Sequence, residues 1–123
     1  MRLTVLEPEL AVCRLAPDAA LPGWVGPGFS SVTRTHAELS VVCEHSRVPE
    51  GIRCEGPWRC LEVAGPLAFS EVGIMAALSE PLASAGVSLF AVSTFDTDYL
   101  LVKSADLQSA CEALRAAGNE VSS

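Results

Sequence analysis

The sequence predicts an α+β chain of two tandem ferredoxin-like βαββαβ units, the first with eroded helices. Two observations carry this expectation. The second half alternates strand and helix patterns in the order β-α-β-β-α-β, and the first half repeats its strands with almost no helical segments.

The first half comes first. Apolar and β-branched runs at residues 3–6, 10–15, 29–35 and 39–43 read as strands. Between residues 16 and 28, Pro17, Pro22, Pro27 and three glycines leave room for one helical turn at most. Residues 44–51 read as a loop. Turn chemistry at Glu55-Gly56-Pro57 divides the chain, giving a first unit at 1–57 and a second at 58–123.

The second half is clearer. Residues 60–64 alternate, with Leu61 and Val63 on one side, and end at Gly65-Pro66, a strand followed by a turn. Ser70 is placed to cap a helix, with Glu71 in its first turn where a negative charge suits the dipole. Ile74, Leu78, Leu82 and Ala85 recur at helical spacing, and Gly86 stops the run. Residues 87–94 and 99–102 form two strand-like runs around a short hairpin loop, Phe95-Asp96-Thr97-Asp98. Ser104 opens a second helix with Asp106 in its first turn and Leu107, Ala110, Cys111 and Leu114 on one face. Gly118 closes it, and Glu120-Val121 is a last short strand. The stretches 29–33 and 39–42 echo 90–94 and 99–102, as two copies of one unit would.

Composition limits the function classes. The chain has 123 residues, half of them apolar, and a net charge of −7 with one lysine beside seven arginines. No basic stripe offsets that charge, which repels phosphate backbones, so nucleic acid is not an expected partner. Acidic residues and prolines interrupt every apolar run before a membrane is spanned, and the first residues lack a secretory pattern. The five cysteines are odd in number and contain no C-x-x-C pair, so they read as reduced thiols of a cytoplasmic protein.

Three places carry polar chemistry. The turn Ser93-Thr94-Phe95-Asp96-Thr97-Asp98 offers hydroxyls and carboxylates suited to a zwitterion, although Asp and Thr also fill turns by bonding their own backbone. The loop from Gly65 to Gly73 leads from a strand to a helix start, whose free N–H groups hold carboxylates; the ordinary alternative is a turn and a cap. Pro81, inside a helical run, deprives the carbonyl of Ala77 of its usual donor. Catalytic readings are weaker. His36 and His45 have no nucleophile in sequence range, and Ser30 and Ser31 lack a G-x-S-x-G frame. Cys43, His45, Cys54 and Cys60 lack the close paired spacing of a zinc site. No catalytic residue, metal or cofactor is expected.

The segments 58–63, 69–74, 81–83 and 93–102 resemble an ACT domain. Within that family the chain is similar to bacterial tandem ACT proteins related to the CASTOR-type arginine sensors. Residues 31–35, 39–42 and 48–51 resemble the degenerate first ACT unit of that group. The resemblance implies a pocket between two ACT units packed side by side. Its contacts map by motif to Glu71, Gly73, Ile74, Thr94, Phe95 and Asp98, with Ala77 and Leu78 from the facing unit. The animal sensors carry four such units where this chain has two, so a complete pocket implies a homodimer. The implied function is a non-catalytic sensor of an amino acid or similar zwitterion. The competing readings are an interaction module with a vestigial pocket and a small thiol or hydrolytic enzyme, which needs a low-pKa cysteine beside a histidine.

Overall fold

A computed structural model describes residues 1–68 and 72–123. The chain forms two compact units, Pro8–Trp58 and a second made of Met1–Glu7 with Arg59–Ser123. This corrects the expected division at 57/58, because the first seven residues belong with the C-terminal unit. The reason is pairing: β1 (Arg2–Val5) runs antiparallel to β5 (Cys54–Val63) and parallel to β8 (Glu120–Ser122). Leu3 thereby enters the core with Leu61, Val63 and Val121. Alternation reveals a strand, but not which distant strand it joins.

In the N-terminal unit, β2 (Leu10–Leu15), β3 (Ser31–Arg34), β4 (Leu39–Glu44) and the start of β5 pair in the order β3-β4-β2-β5. Every pair is antiparallel. This is the strand order of a βαββαβ unit. A 3-10 turn at Gly23–Val25 and another at His45–Arg47 stand where its helices would be. Prolines exclude a longer helix at the first of these. Alternate residues Ala11 and Cys13 on β2 and Leu39, Val41 and Cys43 on β4 face one core with Val25.

The expected dividing turn at Glu55-Gly56-Pro57 lies inside β5 instead. Leu10 pairs with Trp58 and Val12 with Glu55, so Gly56 and Pro57 together oppose Ala11 alone. Such a bulge accommodates a proline, whose missing N–H is not needed by the ladder there.

The C-terminal unit follows the expected order. After β5 come α1 (Ile74–Ser84), β6 (Phe90–Ser93), β7 (Asp98–Lys103), a 3-10 turn leading into α2 (Leu107–Ala116), and β8. Its sheet reads β6-β7-β5-β1-β8, with β1 inserted between the two strands that would be neighbours in a simple βαββαβ unit. Leu78 and Leu82 of α1 and Ala110, Cys111 and Leu114 of α2 pack with Leu61, Leu100 and Val102 of the sheet. Both helices end near the expected glycines, where the N–H groups of Val87 and Asn119 return to the carbonyls of Leu82 and Leu114. The start of α1 differs from expectation. Gly73, not Ser70, is the residue before the helix, at φ 81°; Ser70 lies outside the described residues.

Candidate functional site

One cleft of the C-terminal unit lies where the start of α1 meets the β6–β7 hairpin. It encloses about 320 Å³ and is lined by Leu67, Ala68, Gly73 to Met75, and the turn from Ser93 to Asp98. Local chemistry fixes both walls.

The hairpin wall is a closed turn. Ser93 pairs with Asp98 in the ladder, leaving four residues between the strands. The Thr94 N–H donates to the Thr97 carbonyl at 2.8 Å, and the Thr94 hydroxyl donates to the same carbonyl at 3.1 Å. Ser93 Oγ donates to Asp98 Oδ1 at 2.6 Å. This fixes the Asp98 carboxyl group at the strand end. Asp96 contributes a second carboxylate to the lining.

The turn is fastened to the loop after β5. Thr97, the one buried polar residue among those described, donates through Oγ1 to the Val63 carbonyl at 2.7 Å. The Leu67 N–H donates to the Asp96 carbonyl at 2.7 Å. Gly65 makes this approach close: a Cβ there would sit 3.0 Å from the Asp96 carbonyl oxygen and 3.0 Å from Thr97 Cβ. Gly65→Ala is therefore expected to push loop and hairpin apart and destabilise the fold by about 1–3 kcal/mol. The check is a urea titration, with a lower midpoint and an unchanged slope.

The helix wall offers donors. Gly73 adopts a left-handed conformation that other residues resist, and so turns the chain into α1 within the cleft lining. The first intrahelical donor is the Ala77 N–H, to the Gly73 carbonyl at 2.9 Å. The N–H groups of Ile74, Met75 and Ala76 thus have no acceptor within the helix, and they carry the positive end of its dipole. Carboxylates on one wall and backbone donors on the other suit a small molecule bearing both charges. No lysine or arginine is among the described lining residues.

Of the residues expected at a site, Gly73, Ile74, Thr94, Phe95 and Asp98 line this cleft. Glu71 lies outside the described residues. Ala77 is exposed on α1 but not part of the lining. Leu78 is fully buried in the core, so its side chain is not available to a ligand from a facing unit. The helical period that places Leu78 with Leu82 already puts it on the inward face. Leu67 and Ala68 line the cleft from the loop expected to carry polar chemistry, while Met75 of α1 lines it without having been singled out, because an apolar helix residue carries no signal of its own.

Four of the five thiols are buried, and burial raises their pKa values. Burial pushes the Cys60 thiol up to about 12, aided by the Glu62 carboxylate. Burial also raises Cys13 to about 12 and moves Cys43 and Cys111 upward. A raised pKa keeps most of each buried thiol protonated at pH 8, which slows its reaction with external reagents. Alkylation of the native protein with iodoacetamide at that pH is expected to modify Cys54, the exposed cysteine, and to reach the other four only after unfolding. Peptide mass mapping provides the check. Among the described residues, no group of three or more His, Cys, Asp or Glu is arranged to hold a metal ion. No helix among them is long and apolar enough to cross a membrane.

Comparison with known proteins places this chain in a family. The ACT domain model matches residues 53–116, more than half of the chain. The chain belongs to the ACT domain family. A second model, describing an N-terminal domain, matches residues 9–51. The ACT protein is 41% identical over 59 residues to the cytosolic arginine sensor for mTORC1 subunit 1 of Homo sapiens, and equally to that of Bos taurus. That match covers 47% of this chain and 18% of the sensors' own length. Over its whole fold, this ACT protein is similar to a solved structure from Agrobacterium tumefaciens, at 42% identity and a TM-score of 0.91. The likeness covers 98% of this chain and 90% of that one. Aspartokinase α and β subunits share the fold at a TM-score of 0.65 and 14% identity, over 95% of this chain and 97% of theirs.

Proposed function

We propose that this ACT protein is a non-catalytic, cytoplasmic regulatory protein that binds an amino acid or similar small zwitterion. Its pocket is completed by a second copy of the chain, and its N-terminal unit is a degenerate ACT unit. The observation that carries the reading is the cleft itself, with the residues that start α1 and Asp98 lining one space. The N–H groups would receive a ligand carboxylate, and Asp98 an ammonium or guanidinium group.

Two further features support it. The cleft's volume of about 320 Å³ is at the small end of ligand pockets, which run from about 300 Å³, so it suits a metabolite rather than a peptide. Phe95 in the lining and Val72, which precedes Gly73 in the chain, are 79% and 92% exposed, apolar surface that a second copy would cover. The curated relatives are named as arginine sensors; arginine is therefore the first ligand to try.

A thermal-shift panel of the twenty amino acids at millimolar concentration tests the proposal, with native mass spectrometry run alongside. One or more ligands should raise Tm, because binding at about 100 times Kd adds about 2.7 kcal/mol to the native state. The same ligands should favour the dimer. One observation favours an interaction module with a vestigial pocket: Ser93 already occupies one Asp98 oxygen. A panel with no shift at all would establish that second reading and end the first.

A further inference from the structure

The N-terminal unit holds three of the five cysteines, and its ladders turn them toward one face. Cys13 on β2 is the direct partner of Cys54 on β5. Next to them, the Arg14 N–H donates to the Arg53 carbonyl at 2.9 Å. Residues 14 and 53 therefore form a hydrogen-bonded pair, and 13 and 54 the non-hydrogen-bonded pair beside it. In such a pair the Cα atoms lie about 4.5 Å apart with both side chains on the same face. That is the short end of the range of about 4.4–6.8 Å that a disulfide spans.

Cys43 lies opposite Ala11 on β4, so it is a diagonal neighbour of Cys13 rather than a direct one. Diagonal neighbours are about 7–8 Å apart, too far for a disulfide without backbone movement. The register thus sets Cys13 directly beside Cys54 and diagonally from Cys43. Exposure separates their roles. Cys13 and Cys43 are buried, while Cys54 is open to solvent.

We propose that Cys54 and Cys13 form an oxidative modification site, which closes a reversible intrachain disulfide by exchange with a low-molecular-weight disulfide. The Cys54 thiolate attacks one sulfur of the small disulfide, whose S–S bond breaks. One small thiol leaves with the proton that Cys54 gave up, and a mixed disulfide remains on Cys54. Cys13 Sγ then attacks Cys54 Sγ, and the second small thiol leaves with the proton of Cys13. Two electrons pass from the two cysteines to the small disulfide. Thiol reductants reopen the bond by the same exchange run in reverse.

Oxidised glutathione serves as the probe, followed by blocking of remaining thiols with N-ethylmaleimide and digestion with trypsin. Cleavage after arginine and lysine puts the five cysteines on separate peptides: 3–14, 35–47, 54–59, 60–103 and 104–115. The expected product is the native chain lighter by about 2 Da, with peptides 3–14 and 54–59 joined and dithiothreitol reversing the link. Cys13→Ser should retain glutathione on Cys54; should that variant not fold, the wild-type map decides alone. A link from 3–14 to 35–47, a Cys54–Cys54 link between two chains, glutathione left on wild-type Cys54, or no modification would each overturn the proposal.

Discussion

Asp98→Asn is expected to weaken amino-acid binding by about 10- to 150-fold, the value of about 1.5–3 kcal/mol for a hydrogen bond to a charged group. The unliganded protein should melt at the wild-type temperature. The substitution removes the charge that would hold a ligand's amino group. It keeps an oxygen for the Ser93 hydroxyl, whose 2.6 Å bond ties the hairpin's end. Isothermal titration with the amino acid giving the greatest thermal shift supplies the first measurement, and melting without ligand the second. Equal affinity in both proteins would remove Asp98 from the binding wall. A large loss of stability would make it a structural residue instead.

Leu78→Ala should produce the largest change in stability, about 2–5 kcal/mol, from lost burial and the cavity left behind. Leu78 is fully buried in the core cluster that contains Leu61, Leu82 and Leu100. For a chain of this size the loss corresponds to a fall in Tm of roughly 3–5 °C per kcal/mol. The same variant separates two roles for this position. A ligand contact from a facing unit would change affinity at saturating stability, whereas a core residue changes the unfolding midpoint and leaves the affinity of the folded fraction intact. The buried position predicts the second pattern, and paired urea and titration curves distinguish them.

Much of the C-terminal unit was legible because its signals are local. Leu78 and Leu82, and Ala110, Cys111 and Leu114, keep a helical period, and Gly86 and Gly118 stand where the helices stop. The turn from Ser93 to Asp98 announces itself by residue type, and it lines the cleft from one side. Non-local features escaped. The partners of β1 lie far along the chain, so no window around Leu3 reveals that it joins Val63 and Val121. Gly56-Pro57 looks like a break because those residues usually make one, yet a ladder with a bulge carries the strand through. At α1, Ser70 matches a cap by composition, but Gly73 at φ 81° sets the helix start. Backbone conformation of that kind is selected by the surrounding fold and leaves a single glycine as its trace.

The place of β1 has a bearing on how the protein is made. Residues 2–5 leave the ribosome well before residues 120–122, which form one of their two neighbouring strands. Until then the strand has one edge unsatisfied, and the entire Pro8–Trp58 segment is synthesised in between. Pairings so distant in sequence delay assembly and extend the interval in which open strand edges invite wrong partners. Shielding during synthesis therefore matters for a strand whose partner is made so much later.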